Sequence, residues 1–326
     1  MVAVLTLLLW PSLAHTADKG KKLRLAYTGF GVGTAVALVG KDAGLFKKYG
    51  LEIEGVYIDD APTGGVQALL GVDIFLGLGN PIAPMQAILE GADIIFLGSH
   101  TSMEHYRFGV SPDIASIKQL KGKKIGVSGL GRKSDLIARV ALRRAGLDPT
   151  KDVEMVEIGF SPERAAALSK NLIQGAPLVP EVALQAERLG LKVLKIRGVP
   201  VITDLLMTTR SLVKKDNEMV SRFMKGYLTA IHYYLTHRDE SIGIIKKHVT
   251  VVGRTSIEAM YDALAAQLES LPFPNEEAVQ AFIDAVSVAD SRAKTLKPVD
   301  LFDLRILKKL KTSGFVETLY AEKINL

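Results

Sequence analysis

The sequence predicts an α/β protein of two lobes around a cleft, followed by a helical C-terminal extension. Three observations carry that expectation. Short apolar runs alternate with amphipathic segments, at the spacing of strand–helix units, from residue 23 to residue 208. The series starts twice, each time with a strand that runs into a glycine-rich turn and then a helix: Tyr27-Thr28-Gly29-Phe30-Gly31-Val32-Gly33-Thr34 first, and Gly126-Val127-Ser128-Gly129-Leu130-Gly131-Arg132-Lys133-Ser134 second. Strand-like runs then cease and helical periodicity takes over. Two similar α/β units joined by crossovers imply a cleft, the usual seat of a ligand in such folds.

Taken in order, residues 23–27, 51–58, 73–78 and 93–97 read as strands of the first unit, with helices at 34–48, 64–70 and 81–89. Pro81 suits a first helical turn, where a missing N–H costs nothing. After Ser111-Pro112-Asp113, strands are expected at 124–128, 153–158, 175–179 and 193–196, and helices at 133–145, 162–169 and 180–189. Gly146 and Asp148-Pro149 close the first of those helices in the usual glycine-then-proline order. Residues 201–208 read as a strand returning to the first unit, and 217–236, 240–248, 255–268, 276–289 and 299–311 as helices. The expected division is therefore 23–108 with 203–326 as lobe 1, and 109–202 as lobe 2, with crossovers near 107–110 and 201–208.

The 326 residues, 48% hydrophobic and 23% charged, suffice for two such lobes. No cysteine is present, so disulfides, thiolate metal sites, iron–sulfur clusters and thiol nucleophiles are excluded for this sequence. The net charge is +6, yet the 41 basic residues are interleaved with 35 acidic ones. Their clusters (Lys21-Lys22, Lys47-Lys48, 121–124 and 308–311) lack the interleaved aromatics of a nucleic-acid platform, so they read as solvated faces and no nucleic-acid partner is expected. A basic field would still attract an anionic solute. At the N-terminus, the apolar stretch 2–10, then Pro11, then small residues to Ala17 before Asp18-Lys19-Gly20, reads as a signal peptide over 1–17, cleaved after Ala14 or Ala17. Met1-Val2-Ala3 carries no basic residue, so the start is expected upstream; an ordinary apolar helix is the competing reading.

Neither glycine-rich turn completes a nucleotide motif. From Gly29 the third glycine of a dinucleotide fingerprint would fall on Thr34, and from Gly31 on Val36, so that reading fails by spacing. Glycines at a helix start nevertheless let a ligand approach unpaired N–H groups, and Phe30 offers an aromatic wall; a purely structural turn is the alternative. The second turn comes within one residue of a phosphate-binding loop, but Arg132 intervenes before Lys133-Ser134 and rotates both by about 100° along the helix. It remains a candidate cradle for an anion, with Ser128, Arg132 and Ser134 as donors, while Arg132 facing solvent is the alternative. His100 and His105 are five residues apart, as are His232 and His237, which is not metal spacing, and no G-x-S-x-G elbow exists. No metal, cofactor or catalytic residue is expected.

Three stretches resemble a known family. Lys41-Asp42-Ala43-Gly44-Leu45-Phe46-Lys47-Lys48-Tyr49-Gly50-Leu51-Glu52-Ile53-Glu54 is similar to the AxxxGLFxxxGLxVE signature of nitrate/sulfonate/taurine-type (NitT/TauT) substrate-binding proteins of ABC importers. Ile117 to Val127 resembles that family's DLKGKKIGV opening of the second lobe, and Arg139 to Val153 its LxxxGLDPxxDV stretch. The resemblance implies a type 2 periplasmic-binding-protein fold whose cleft ligand is held by loops at strand ends. Position by position it implies Gly31 and Gly33, Gly79-Asn80, and Ser99-His100-Thr101 from lobe 1. From lobe 2 it implies Ser128, Gly131, Arg132, Ser134, Phe160-Ser161 and Glu181. Two departures stand out: Leu69-Leu70-Gly71-Val72-Asp73 is an abbreviated form of the family's approach to the third strand, and Gln174-Gly175-Ala176 lacks the Asp usual there.

The expected function is that of an extracytoplasmic solute-binding component of an ABC importer, periplasmic after signal-peptide cleavage. It would act as a monomer, capture a small anionic sulfonate-, nitrate- or carboxylate-like solute, and deliver it to an inner-membrane permease without catalysis. A neutral heterocycle such as a thiamine-pyrimidine precursor, stacked on Phe30, Tyr27 or Phe160, is the alternative. A thiamine-pyrimidine-synthase-like enzyme shares this fold but depends on a cysteine-rich motif absent here, and a sensory domain would need an attached signalling segment.

Overall fold

The computed structural model describes residues 21–27, 30–58, 66, 69, 70, 74–78, 81–249 and 254–321. The signal-peptide segment 1–17, Thr28-Gly29, Gly71 to Asp73, the pair Gly79-Asn80 and most of the expected helix 64–70 lie outside the described residues.

Three sheets organise the chain. Strands β1 (Lys21–Tyr27), β2 (Leu51–Tyr57) and β3 (Ile74–Leu78) form a parallel sheet in the order β2-β1-β3. β2 alternates as a half-buried strand must, Leu51 and Ile53 inward, Glu52 and Glu54 outward. The long strands β4 (Ile95–Glu104) and β10 (Val199–Thr208) pair antiparallel from Val199 against Glu104 to Thr208 against Ile95, and β10 lies alongside β3. The third sheet has the order β7-β6-β8-β5-β9, built from β5 (Arg107–Val110), β6 (Lys124–Val127), β7 (Glu154–Glu157), β8 (Gly175–Leu178) and β9 (Lys192–Lys195). Here β6 runs parallel to β7 and β8, and β5 antiparallel to β8 and β9. Residues 107–110, expected as a crossover, are thus an interior strand; four residues are too few to show a period, and only the burial of Phe108 and Val110 betrays them. β4 likewise continues seven residues past its expected end, because β10 supplies hydrogen-bonding partners along its whole length.

Helix α1 (Val32–Asp42) is buried from Val32 through Gly40, between the first sheet and the C-terminal helices. A tight turn follows, then a 3-10 turn at Lys47–Tyr49 and Gly50 with φ +70°, the left-handed conformation glycine adopts without strain. Leu45 and Phe46 of the Gly44-Leu45-Phe46 signature are fully buried, and Phe46 stacks on Phe223 with ring centroids 5.2 Å apart. Side chains at Gly40 or Gly226 would collide with the Phe46 ring, so two glycines distant in sequence make its slot.

Helices α2 (Ile82–Leu89), α3 (Lys133–Arg144), α4 (Ser161–Ser169) and α5 (Pro180–Arg188) fall within a residue of their expected positions. The C-terminal part begins with α6 (Arg210–Lys215), which the sequence reading does not anticipate, and continues through α7 (Asn217–Thr236), α8 (Arg238–His248), α9 (Arg254–Ala265) and α10 (Glu276–Ala289). The expected helix 299–311 is broken into α11 (Pro298–Leu301) and α12 (Arg305–Thr312). Phe302 adopts extended backbone to bridge Phe96 at the end of β4, Asp303 N–H donates to Phe96 O at 2.8 Å, and the two phenyl rings meet edge-on at 5.3 Å. A short α13 (Phe315–Ala321) is the last of the described elements.

The apolar interior follows this plan with one exception. One core lies between the first sheet, α1 and α7, and two smaller ones serve the third sheet. The exception draws on both sides: Leu136, Ile137 and Val140 of α3 pack with Met85 of α2, Phe96 of β4, Leu205 of β10 and Phe282 and Ile283 of α10. Two ion pairs continue that contact outward. Arg143 holds Asp284 through Nε and Nη2, and Arg144 holds Glu277 in the same bidentate way.

Candidate functional site

The two glycine-rich turns stand at the starts of α1 and α3, each after the C-terminal end of a parallel strand. In such folds these are the positions where loops can hold a ligand. The second turn reaches across to the first unit. Lys133 pairs with Glu104 at 2.8 Å, and Gly131, at φ +74°, sits so close to Ile82 at the start of α2 that a side chain there would collide with it.

The donors of that second turn are largely committed to the protein itself. Ser128 N–H donates to Ser134 Oγ at 2.7 Å and the two hydroxyls are 2.8 Å apart; Leu130 N–H donates to Glu157 at 2.8 Å and Gly131 N–H to Asp135 at 2.7 Å. Asp135 is fully buried and is paired at 2.9 Å with Arg139, also fully buried, one helical turn on. The loop is therefore held from beneath by an ion pair the sequence reading does not single out. Its signal is an acid and a base at i and i+4 on an otherwise apolar helix face. Arg132 is exposed, its side chain folded back over Gly129.

At the first turn the structure places a group the sequence reading misses. Asp204, in the middle of β10 and 5% exposed, turns its carboxylate onto the N-terminus of α1 and accepts hydrogen bonds from the backbone N–H groups of Val32 and Gly33, the latter at 3.2 Å. A Cβ on Gly31 would lie 2.5 Å from Asp204 Oδ2, so glycine is required there by the carboxylate's approach and not by its own φ of −101°. Burial pushes the Asp204 carboxyl up to about 6, against the pull of those two N–H donors. Tyr227 of α7 completes the group: its hydroxyl lies 3.3 Å from Gly33 O, to which it can donate, and 2.7 Å from His100 Nε2. Burial lowers the His100 pKa to about 4 and raises that of Tyr227 well above the usual phenol range, so at neutral pH both are uncharged.

Two bulges make this meeting possible. The β4–β10 register skips Leu97 on one strand and Thr203 on the other. A skipped residue inverts the alternation beyond it, so His100 faces the side of the sheet that Ile95 and Leu97 face, toward α7, where strict alternation would turn it away. Ser99 and Thr101 flank it; both hydroxyls are buried without a partner among the described residues, as is Thr34 Oγ1 on the first turn of α1.

The remaining expected residues divide. Phe30 is partly buried and packed on the first core. Ser161 is structural in placement: its Oγ accepts from Arg164 Nη2 at 2.9 Å and Val179 N–H at 3.1 Å, tying α4 to the end of β8. Phe160, just before it, is 74% exposed, and Glu181 is exposed on the first turn of α5. Gly79 and Asn80 lie outside the described residues. Among the described residues no group of three His, Asp or Glu side chains is placed to hold a metal ion, and no helix is long and apolar enough to cross a membrane.

Known structures share this arrangement. The periplasmic sulfonate-binding protein SsuA of Methylobacillus flagellatus superposes with a TM-score of 0.57 at 19% identity, covering 94% of this chain and 99% of that one. The periplasmic aliphatic sulphonate binding protein SsuA of Escherichia coli gives 0.51 at 20% identity, covering 87% and 91%. The zinc-bound ligand binding component of an ABC-type import system from Staphylococcus aureus gives 0.51 at 15% identity, covering 89% and 98%. The fold is therefore that of the periplasmic binding proteins, two α/β lobes around a cleft. No curated protein sequence matches the chain. The profile of the NMT1/THI5 like family matches residues 33–241, and the chain belongs to that family.

Proposed function

We propose that this chain is the extracytoplasmic solute-binding component of an ABC importer, which captures a small molecule between its lobes and hands it to a membrane permease without a catalytic step. The observation that carries the reading is the reach of the second glycine-rich turn to the first lobe, through Lys133–Glu104 and Gly131 against Ile82, which brings a candidate ligand loop of one unit against the other. In this reading the lobes divide where the sheets divide, between Glu104 and Arg107 and between Lys195 and Val199. Contacts from both lobes to one solute favour the closed arrangement, which the permease would then read. In this reading the mature protein is periplasmic, freed from a signal peptide over 1–17, and works as a monomer. Exposed Phe160 favours a solute with a planar or apolar face, while exposed Arg132 offers an acid a guanidinium.

The test is a thermal-shift screen of the purified mature chain against alkanesulfonates, nitrate, carboxylates, aminopyrimidines and small amides, repeated with Phe160→Ala and Arg132→Ala. One chemical class should raise the melting temperature by several degrees and lose that effect in one of the two variants. A transition unmoved by every class would count against solute binding.

A further inference from the structure

The start of α1 is where the fold offers a ligand its clearest cluster of unpaired backbone donors, and those donors favour negative charge. In this protein the chain's own carboxylate already occupies them. Asp204 accepts from Val32 and Gly33 N–H, Gly31 lacks a side chain where one would strike the carboxylate, and the Tyr227 hydroxyl closes the far side by donating to Gly33 O. The groups that face Asp204 are the α1 backbone, His100 opposite it on β4 and Tyr227 on α7; none of these side chains supplies a positive charge at neutral pH. An incoming sulfonate, nitrate or carboxylate would therefore meet a negative charge that no side-chain cation balances, in a low-dielectric site where repulsion is poorly screened. Thr34 Oγ1, buried on the same turn without a partner among the described residues, leaves one more hydrogen-bonding group there unsatisfied.

Resting on the solute-binding reading, we propose that Asp204 is a specificity-determining residue: it bars oxyanions from the N-terminus of α1, and the part of the solute seated there is a hydrogen-bond donor, an N–H or ammonium group. An anionic end, if the solute has one, lies toward the second lobe and Arg132. Asn at this position would keep an oxygen for the Gly33 N–H while removing the charge, and protonation of Asp204 does the same without mutation.

The probes are sodium ethanesulfonate and sodium nitrate, which stay anionic from pH 5 to 7.5, and acetamide, acetamidinium and ethylammonium as size-matched donors. Titration calorimetry is run on the wild type and on Asp204→Asn at both pH values. At pH 7.5 the variant should bind the two anions at least tenfold more tightly than the wild type and bind the donors more weakly. The wild type should gain anion affinity at pH 5, where Asp204 takes up a proton while His100 stays neutral, and the variant should show no such gain. Wild-type anion affinity at pH 7.5 equal to that of D204N overturns the proposal, as does failure of D204N to gain any anion binding. If D204N does not fold, equal wild-type affinities at pH 5 and 7.5 overturn it alone. Donor binding by the wild type in those cases leaves the solute-binding reading intact, whereas silence from every probe in both proteins ends that reading too.

Discussion

Asp204 stands in the run Val199-Pro200-Val201-Ile202-Thr203-Asp204-Leu205-Leu206-Met207-Thr208, a single acid in an apolar strand. That isolation is a sequence signal, because a carboxylate is carried into a core only when something there receives it. What receives it cannot be read from the chain, since Gly33 lies 171 residues away. The arrangement has a thermodynamic sign. Burial raises the Asp204 carboxyl from 3.8 in the unfolded chain to about 6 in the folded one. The folded state thus holds the proton more tightly, and this group's contribution to stability is greatest below 3.8 and is lost as pH rises through 6. The loss is on the order of 3 kcal/mol at most. Asp204→Asn is accordingly expected to melt a few degrees above the wild type at pH 7.5 and within about a degree of it at pH 4, as measured by circular dichroism. A variant that melts lower at pH 7.5 would mean that the charge–N–H bonds outweigh desolvation. Among the other expected site residues, Ser161 and Ser134 show why residue type alone misleads: hydroxyls beside helix starts suit a ligand, but here they tie loops to their own protein.

At the scale of elements, period and punctuation were legible where a segment is long and one-sided. α7 and α10 have the bounds their apolar spacing predicts. Legibility failed where pairing decides the backbone. Phe302 leaves the helix to meet Phe96, β5 is too short to show alternation, and the bulges in β4 and β10 leave no mark in composition. The turn into α1 yields a prediction at this scale. Gly31→Ala should cost about 1–3 kcal/mol in urea unfolding by overpacking against the carboxylate, since its φ is one that alanine adopts freely. The same substitution in an Asp204→Ala background should cost much less, and a double-mutant cycle reads the difference as coupling. Equal costs in both backgrounds would place the clash elsewhere.

For the molecule as a whole, the paired glycine-rich turns and the three family-like stretches were enough to foresee the fold, because they mark the start of each lobe. They could not foresee that α10, far along the C-terminal extension, packs on α3 and feeds a core shared with β4 and β10. Arg143 and Asp284 tighten that contact, and the pairing raises the Arg143 pKa through its hydrogen bonds to the carboxylate. Asp284→Asn should therefore destabilise the protein by about 1.5–3 kcal/mol, the worth of a charged hydrogen bond. Because the core is shared, calorimetry should show one transition moving downward in the variant; a wild type that melts in two separate steps would contradict a common core.

The antiparallel ribbon of β4 and β10 has a mechanical consequence. The chain leaves the β4–β10 ribbon just after Glu104 and re-enters it at Val199, and these two residues are partners at the ribbon's end. Both passages between that ribbon and the third sheet thus cross at one place, beside the core that α3 and α10 share. Such a joint swings open and shut and can twist a little, but it resists sliding, because any slip would have to break the ladder rung by rung. For the carrier proposed above, solute access would then be a matter of angle.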